Sequence, residues 1–153
     1  MPNRDVHRPV GITAGAGAAY IGARNLPPLQ QFVETIGGGA GGLCGAIAPD
    51  KIDPPTSPNH RHYGHGVANF VGAVFFTAEQ VARLQQRLRA KADDLLARRA
   101  YLTNDLDRAL NWIAEMFLRF VVGFLNGFTA GYLSHLLLDA LTAQGIPIFA
   151  RGC

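Results

Sequence analysis

With 153 residues, the chain is long enough for a single domain with a hydrophobic core. Charged residues make up only 16% of it and 18 residues are glycine, a balance that leans toward membrane proteins, because soluble domains carry about 25% charged residues. The net charge of +3 is too small for a nucleic-acid-binding surface, and the two cysteines define no disulfide framework. We therefore expect no nucleic acid as a partner.

In chain order, the first features are short apolar runs. Uncharged stretches of about fifteen residues cover 9–23, 35–49 and, later, 120–134, and each is shorter than the ~20 residues of a membrane-spanning helix. Glycines in the first two runs allow close contact between helices, and Cys44 is expected to pack as a small buried hydrophobe. The runs fit either tilted membrane helices or core helices of a soluble or particle-bound bundle. No signal peptide is predicted, because the N-terminus is polar.

A polar, proline-rich stretch follows at residues 48–66, where the prolines exclude regular helix across most of the span. Its carboxylates and imidazoles are Asp50, Asp53, His60, His62 and His65. A loop can direct such side chains toward one centre, and mixed histidine and aspartate ligation suits zinc, manganese or iron. The alternative is an exposed loop whose histidines titrate in water.

Residues 77–108 form a charged amphipathic segment. Thr77 and Gln80 make a capping-box signature, which predicts the start of a helix of about 24 residues that projects from the core and breaks near Thr103 and Asn104. Its apolar stripe comprises Val81, Leu84, Leu88, Ala92 and Leu95, continuing to Leu102 and Leu106. This segment is expected to bind a partner or a second copy of the chain, or to lie on anionic lipid, unless it is only the exposed face of a helical hairpin.

After the break, Asn104 or Asp105 is expected to cap a second long helix. Glu115 and Arg119, at positions i and i+4 of this helix, could neutralise each other. No alternation typical of strands occurs along the chain. The sequence therefore predicts an all-α helical bundle.

The end of the second long helix contains His135 and Asp139, which lie four residues apart and so share one face. Leucines surround them in the sequence, and burial of an aspartate costs free energy unless it is paired, hydrogen-bonded or bound to a cation. A divalent metal would satisfy this requirement. A hydrogen bond between the two side chains at the helix surface is the alternative.

Several segments match a known family pattern. They are His7-Arg8-Pro9-Val10-Gly11, Pro49-Asp50, His60-Arg61 with His65, and Gly131-Tyr132-Leu133-Ser134-His135 with Asp139, Thr142 and Gly145. These segments resemble the predicted membrane-bound metal-dependent hydrolases, the YdjM-like bacterial inner-membrane proteins. The chain departs from the family pattern in the loop, where two residues instead of one separate Asp50 from Asp53 and where Gly64 replaces a threonine.

The resemblance implies a bacterial inner-membrane protein with a divalent metal site, zinc first and manganese or iron as alternatives. The implied metal ligands are His7, Asp50, His60, His65, His135 and Asp139, and the candidate catalytic groups are Asp53 and His62. We expect hydrolysis of a phosphoester or lipid-like substrate through a metal-activated water. The alternative is a non-catalytic structural or assembly protein that keeps the fold and oligomerises through residues 77–108.

Overall fold

The described part of the chain is built from four helices. A computed structural model describes residues 4–52 and 67–141, with side chains described for residues 6–51 and 79–141. The helices are α1 (Arg4–Gly22), α2 (Pro28–Ile52), α3 (Val67–Arg99) and α4 (Asp105–Ala140). No strand occurs in these residues, and the prediction of an all-α fold is confirmed.

The end of α2 differs from the prediction for the proline-rich stretch. Helix α2 continues through Pro49 to Ile52, so Asp50 lies on its last turn and not in an irregular loop. Pro49 removes one backbone hydrogen bond, but a single proline close to a helix end leaves the other hydrogen bonds of α2 in place. Asp50 is consequently held by a rigid element.

The predicted start of α3 is wrong, whereas the predicted start of α4 is correct. Helix α3 begins at Val67, so Thr77 lies inside it and does not cap it, because the apolar residues before Thr77 are themselves helical. Asn104 is the N-cap of α4, and its side chain accepts a hydrogen bond of 2.9 Å from the Leu106 backbone N–H. The predicted break at this position is confirmed.

Helices α2 and α4 run parallel and approach each other through glycine. A Cβ atom added at Gly127 would meet the backbone of Gly38, and one added at Gly131 would meet the backbone of Gly42. No residue with a side chain fits between these backbones without moving the helices apart. The four-residue spacing of the glycines on both helices keeps them on the facing sides.

Helix α1 runs antiparallel to this pair and uses the same glycines of α2. Cβ atoms added at Gly11 and Gly15 would meet the backbones of Gly42 and Gly38, respectively. The predicted role of glycine in helix contacts is therefore confirmed for Gly15, whereas Gly17 faces open space. Helices α1, α2 and α4 form a closely packed unit.

The outer surface of this unit is largely apolar. Large exposed apolar side chains include Tyr20 and Ile21 on α1, Phe32 and Ile36 on α2, and Leu110, Ile113 and Phe117 on α4. By length and composition α4 could cross a membrane, and only 28% of its 18-residue apolar stretch is buried inside the protein. Cys44 is also exposed, which corrects the expectation of a buried thiol, since this side of α2 faces outward from the bundle.

Candidate metal centre

Four of the predicted metal ligands meet at one end of the bundle. His7 comes from the first turn of α1, Asp50 from the last turn of α2, and His135 and Asp139 from the last turns of α4. The antiparallel course of α1 brings its N-terminal end beside the C-terminal ends of α2 and α4. Their convergence is a product of helix direction as well as of the local i,i+4 spacing on α4.

The other four predicted site residues lie outside the described residues. These are Asp53, His60, His62 and His65. Their roles as ligands or catalytic groups stay predictions.

The two imidazoles lie side by side and face different oxygens of the Asp139 carboxylate. His7 Nε2 is 3.6 Å from Asp139 Oδ1, and His135 Nε2 is 3.5 Å from Asp139 Oδ2. His135 Nε2 is also 3.7 Å from Asp50 Oδ1. The rings of His7 and His135 stack with their centroids 4.1 Å apart and an angle of 22° between their planes.

A backbone contact sets the orientation of His135. Its Nδ1 atom forms a hydrogen bond with the carbonyl oxygen of Ala46 on α2. Because a carbonyl oxygen only accepts, Nδ1 carries the proton in this contact, and Nε2 is the ring atom turned toward the carboxylates. This is the tautomer in which a histidine binds a metal through Nε2.

Burial separates these four residues into a buried trio and one more accessible carboxylate. His7, His135 and Asp139 are 4%, 1% and 5% exposed, whereas the side chain of Asp50 is 23% exposed. An ionised carboxylate is costly to bury without compensating charge or hydrogen bonds. Because Asp50 is the most exposed of the four side chains, the site is open on the side of Asp50.

The described residues fit a divalent metal. Ligand atoms bound at about 2.1 Å in tetrahedral geometry lie roughly 3.4 Å apart. The distances of 3.5–3.7 Å from the imidazole nitrogens to the carboxylates are close to this value. His7, His135 and Asp139 offer three ligand atoms within 4.8 Å of one another, and nitrogen with oxygen donors suits zinc, manganese or iron.

Comparison with known proteins identifies the family. A family model described as YdjM inner membrane protein matches residues 1–150. The chain belongs to the YdjM inner membrane protein family. Searches of curated proteins and of solved structures gave no match. The family and the apolar helix α4 together support the predicted membrane localisation.

In this YdjM-family protein, a second polar group lies at the other end of the α2 and α4 pair. We call it the charge cluster, and it comprises Gln30 and Glu34 on α2, Arg89, Asp93 and Arg99 on α3, and Glu115 and Arg119 on α4. Its three central side chains, Glu34, Glu115 and Arg119, are at most 1% exposed. Such deep burial of three charges needs compensation from neighbouring groups.

Sequence reasoning identified one ion pair of this cluster and missed the rest. Arg119 Nη2 lies 3.7 Å from Glu115 Oε1, which confirms the predicted neutralisation along α4. Glu34 was not singled out, although it is the sole charged residue between Pro28 and Pro49. A lone carboxylate in an apolar helix of a membrane protein predicts a buried partner on another helix, and this signal could have located the cluster.

Proposed function

We propose that this YdjM-family protein is a metal-dependent hydrolase that acts at the membrane on a phosphoester or lipid-like substrate. The convergence of His7, His135 and Asp139 from α1 and α4, with Asp50 at the open edge, carries this proposal. Buried imidazoles and carboxylates grouped from separate helices are typical of metal sites in helical bundles.

Each described residue has a distinct role in the proposal. His7, His135 and Asp139 bind the metal, and the Ala46 carbonyl orients the His135 ring. Asp50 completes the site from α2 at its more accessible edge. A divalent metal bound there supplies an acidified water and polarises an ester or phosphoryl oxygen of the substrate.

The surroundings of the site support an amphiphilic substrate. Val6 and Val10 on α1, and Leu137 and Leu141 on α4, lie at the same end of the bundle as the site and are 36–84% exposed. A polar site at the end of helices that expose apolar side chains can bind a polar head group while apolar chains lie along the helices. A lipid-like phosphoester combines both chemistries.

Metal content tests the site. Protein extracted in detergent is analysed by elemental mass spectrometry as wild type, as the His135→Ala, Asp139→Ala double variant, and as a control with Asp105→Ala, whose side chain is 99% exposed. We expect about one metal per chain in the wild type and the control and loss of it in the double variant. Circular dichroism confirms that all three proteins remain helical.

Activity tests the reaction. A panel of phosphomonoesters, phosphodiesters and phospholipids is incubated with metal-loaded protein, and turnover is expected to vanish in the double variant. Absence of bound metal, even after incubation with zinc or manganese, would contradict the hydrolase and favour the non-catalytic assembly protein. Bound metal without turnover of any ester in the panel would support a metal site and reject this substrate class.

A further inference from the structure

Helix α3 is attached to the bundle differently from the other helices. Helices α1, α2 and α4 interlock at glycine backbones, whereas the described side chains of α3, residues 79–99, include a single fully buried apolar residue, Ala92. Val81, Leu88, Leu95 and Leu96 are only half-buried, and several polar and charged side chains in this range contact the bundle. Gln85 Nε2 donates a hydrogen bond of 2.9 Å to Asn126 Oδ1, for example.

The shortest ion pairs of the charge cluster are those made by α3. Arg89 Nη2 donates to Glu34 Oε2 at 2.7 Å, and Arg119 Nη2 donates to Asp93 Oδ1 at 2.7 Å. The pairs of Arg119 with Glu34 and Glu115 are longer, at 3.9 Å and 3.7 Å. Helix α3 thus supplies the closest compensation for the buried charges of α2 and α4.

The charges on the two sides of this contact are complementary. Glu34, Glu115 and Arg119 sum to one negative charge. Arg89, Asp93 and Arg99 on α3 sum to one positive charge, with Arg99 Nη2 lying 3.4 Å from Glu115 Oε2. Docking of α3 therefore neutralises the buried centre.

The order of the charges disfavours a shift of α3 by one helical turn. A shift of α3 by four residues in one direction would place Asp93 against Glu34, and the opposite shift would place Arg89 against Arg119. Either shift of about one helical turn brings like charges together in a buried position.

We propose that Glu34, Glu115 and Arg119 form a charge latch that holds residues 79–99 of α3 in register, and that this segment leaves the bundle as one unit. In the docked state the side chains of Arg89, Arg99 and Asp93 are 32%, 28% and 62% exposed, so these charges are already partly hydrated when α3 undocks. Residues 79–99 of α3 form a releasable arm on a glycine-packed unit. This inference is independent of the metal centre.

Hydrogen–deuterium exchange of the full chain in detergent micelles tests whether this segment of α3 leaves the bundle as one unit. We expect the amides of residues 83–99 to exchange at one common rate, about tenfold or more faster than those of residues 37–45 and 123–134. Graded rates along α3, or rates equal to those of α2 and α4, would overturn the proposal.

Charge exchange tests the latch itself. Arg89→Glu should speed exchange in α3 by about tenfold or more without changing α2 and α4. Glu34→Arg should speed it at least as much, because it also places an arginine beside Arg119. The combined variant restores a pair of opposite charges and should exchange more slowly in α3 than Glu34→Arg alone. Arg83→Glu is the matched control, because Arg83 pairs with Glu79 on the exposed side of α3, and should change nothing.

A milder variant provides a second test in case the charge-reversal variants misfold. Arg99→Gln removes one partly exposed partner of Glu115 and should speed α3 exchange less than Arg89→Glu. Equal acceleration of α2, α3 and α4 in these variants, or no recovery in the combined variant, would show a general structural role and not a latch.

Discussion

At the residue scale, His135 is held between two helices and presents one nitrogen to the site. The Ala46 carbonyl accepts from Nδ1, while Nε2 lies 3.5 Å from Asp139 and 3.7 Å from Asp50. A side chain held on both ring nitrogens has little freedom to reorient, which lowers the entropic cost of forming a metal site. Asp139 faces both His135 and His7, and Asp50 reaches His135 from the opening.

This arrangement predicts unequal effects of removing the two carboxylates. Asp139→Asn should weaken zinc binding by about 100-fold and Asp50→Asn by about tenfold, because Asp139 is buried and faces both imidazoles whereas Asp50 lies near one of them. Competition against a chromophoric chelator measures both affinities. Equal losses, or a larger loss for Asp50→Asn, would contradict the assigned geometry.

At the element scale, the glycines of α1, α2 and α4 decide how closely the helices approach. Gly127 and Gly131 on α4 face the backbones of Gly38 and Gly42 on α2. Glycine lowers the intrinsic stability of a helix, by about 1 kcal/mol relative to alanine. The close contact that glycine permits between the two backbones compensates for this loss of helix stability.

Two alanine substitutions distinguish the effect of glycine on helix stability from its effect on helix packing. Gly127→Ala should lower the free energy of unfolding by about 3 kcal/mol, since its Cβ would meet the Gly38 backbone and the helices must separate. Gly17→Ala, where no atom lies within 4 Å, should leave the stability unchanged or raise it by up to about 1 kcal/mol. Unfolding in a denaturing detergent, followed by circular dichroism, compares the variants. Equal effects would refute the proposed packing.

At the scale of the whole molecule, the three uncharged runs of the sequence lie side by side. Runs 35–49 on α2 and 120–134 on α4 pack against each other in parallel. Run 9–23 on α1 packs against α2 in the opposite direction. The charge cluster and the candidate metal centre lie at opposite ends of this apolar zone, roughly 24 Å apart along α4 from Arg119 to His135. This separation is comparable with the ~30 Å hydrocarbon core of a bilayer.

Cys44 is a natural reporter of this apolar zone, because it is exposed on α2 within run 35–49. In proteoliposomes that contain the Cys153→Ser protein, Cys44 should resist a charged maleimide and react after solubilisation in a denaturing detergent. Lys91→Cys is the control, since this side chain is 58% exposed on charged α3 and should react in both conditions. Mass spectrometry measures the labelling, and rapid reaction of Cys44 in intact liposomes would place this surface in water.

The sequence by itself determined the features that depend on neighbouring residues. The helical class, the Asn104 cap, the Glu115 and Arg119 pair and the shared face of His135 and Asp139 all follow from interactions across four residues or fewer. The start of α3 was misplaced because a capping signature inside a helix has the same residues as one at its end.

Only the tertiary structure decided which distant residues meet. The parallel course of α2 and α4 brings Ala46 to His135, 89 residues away, and Gln30 to Glu115, 85 residues away. Short-range periodicity contains no information on helix direction or register, which depend on the glycine contacts and on compensation of buried charge. The joining of His7 and Asp50 to the α4 pair, and the docking of α3 on the charge cluster, therefore became visible only in the folded chain.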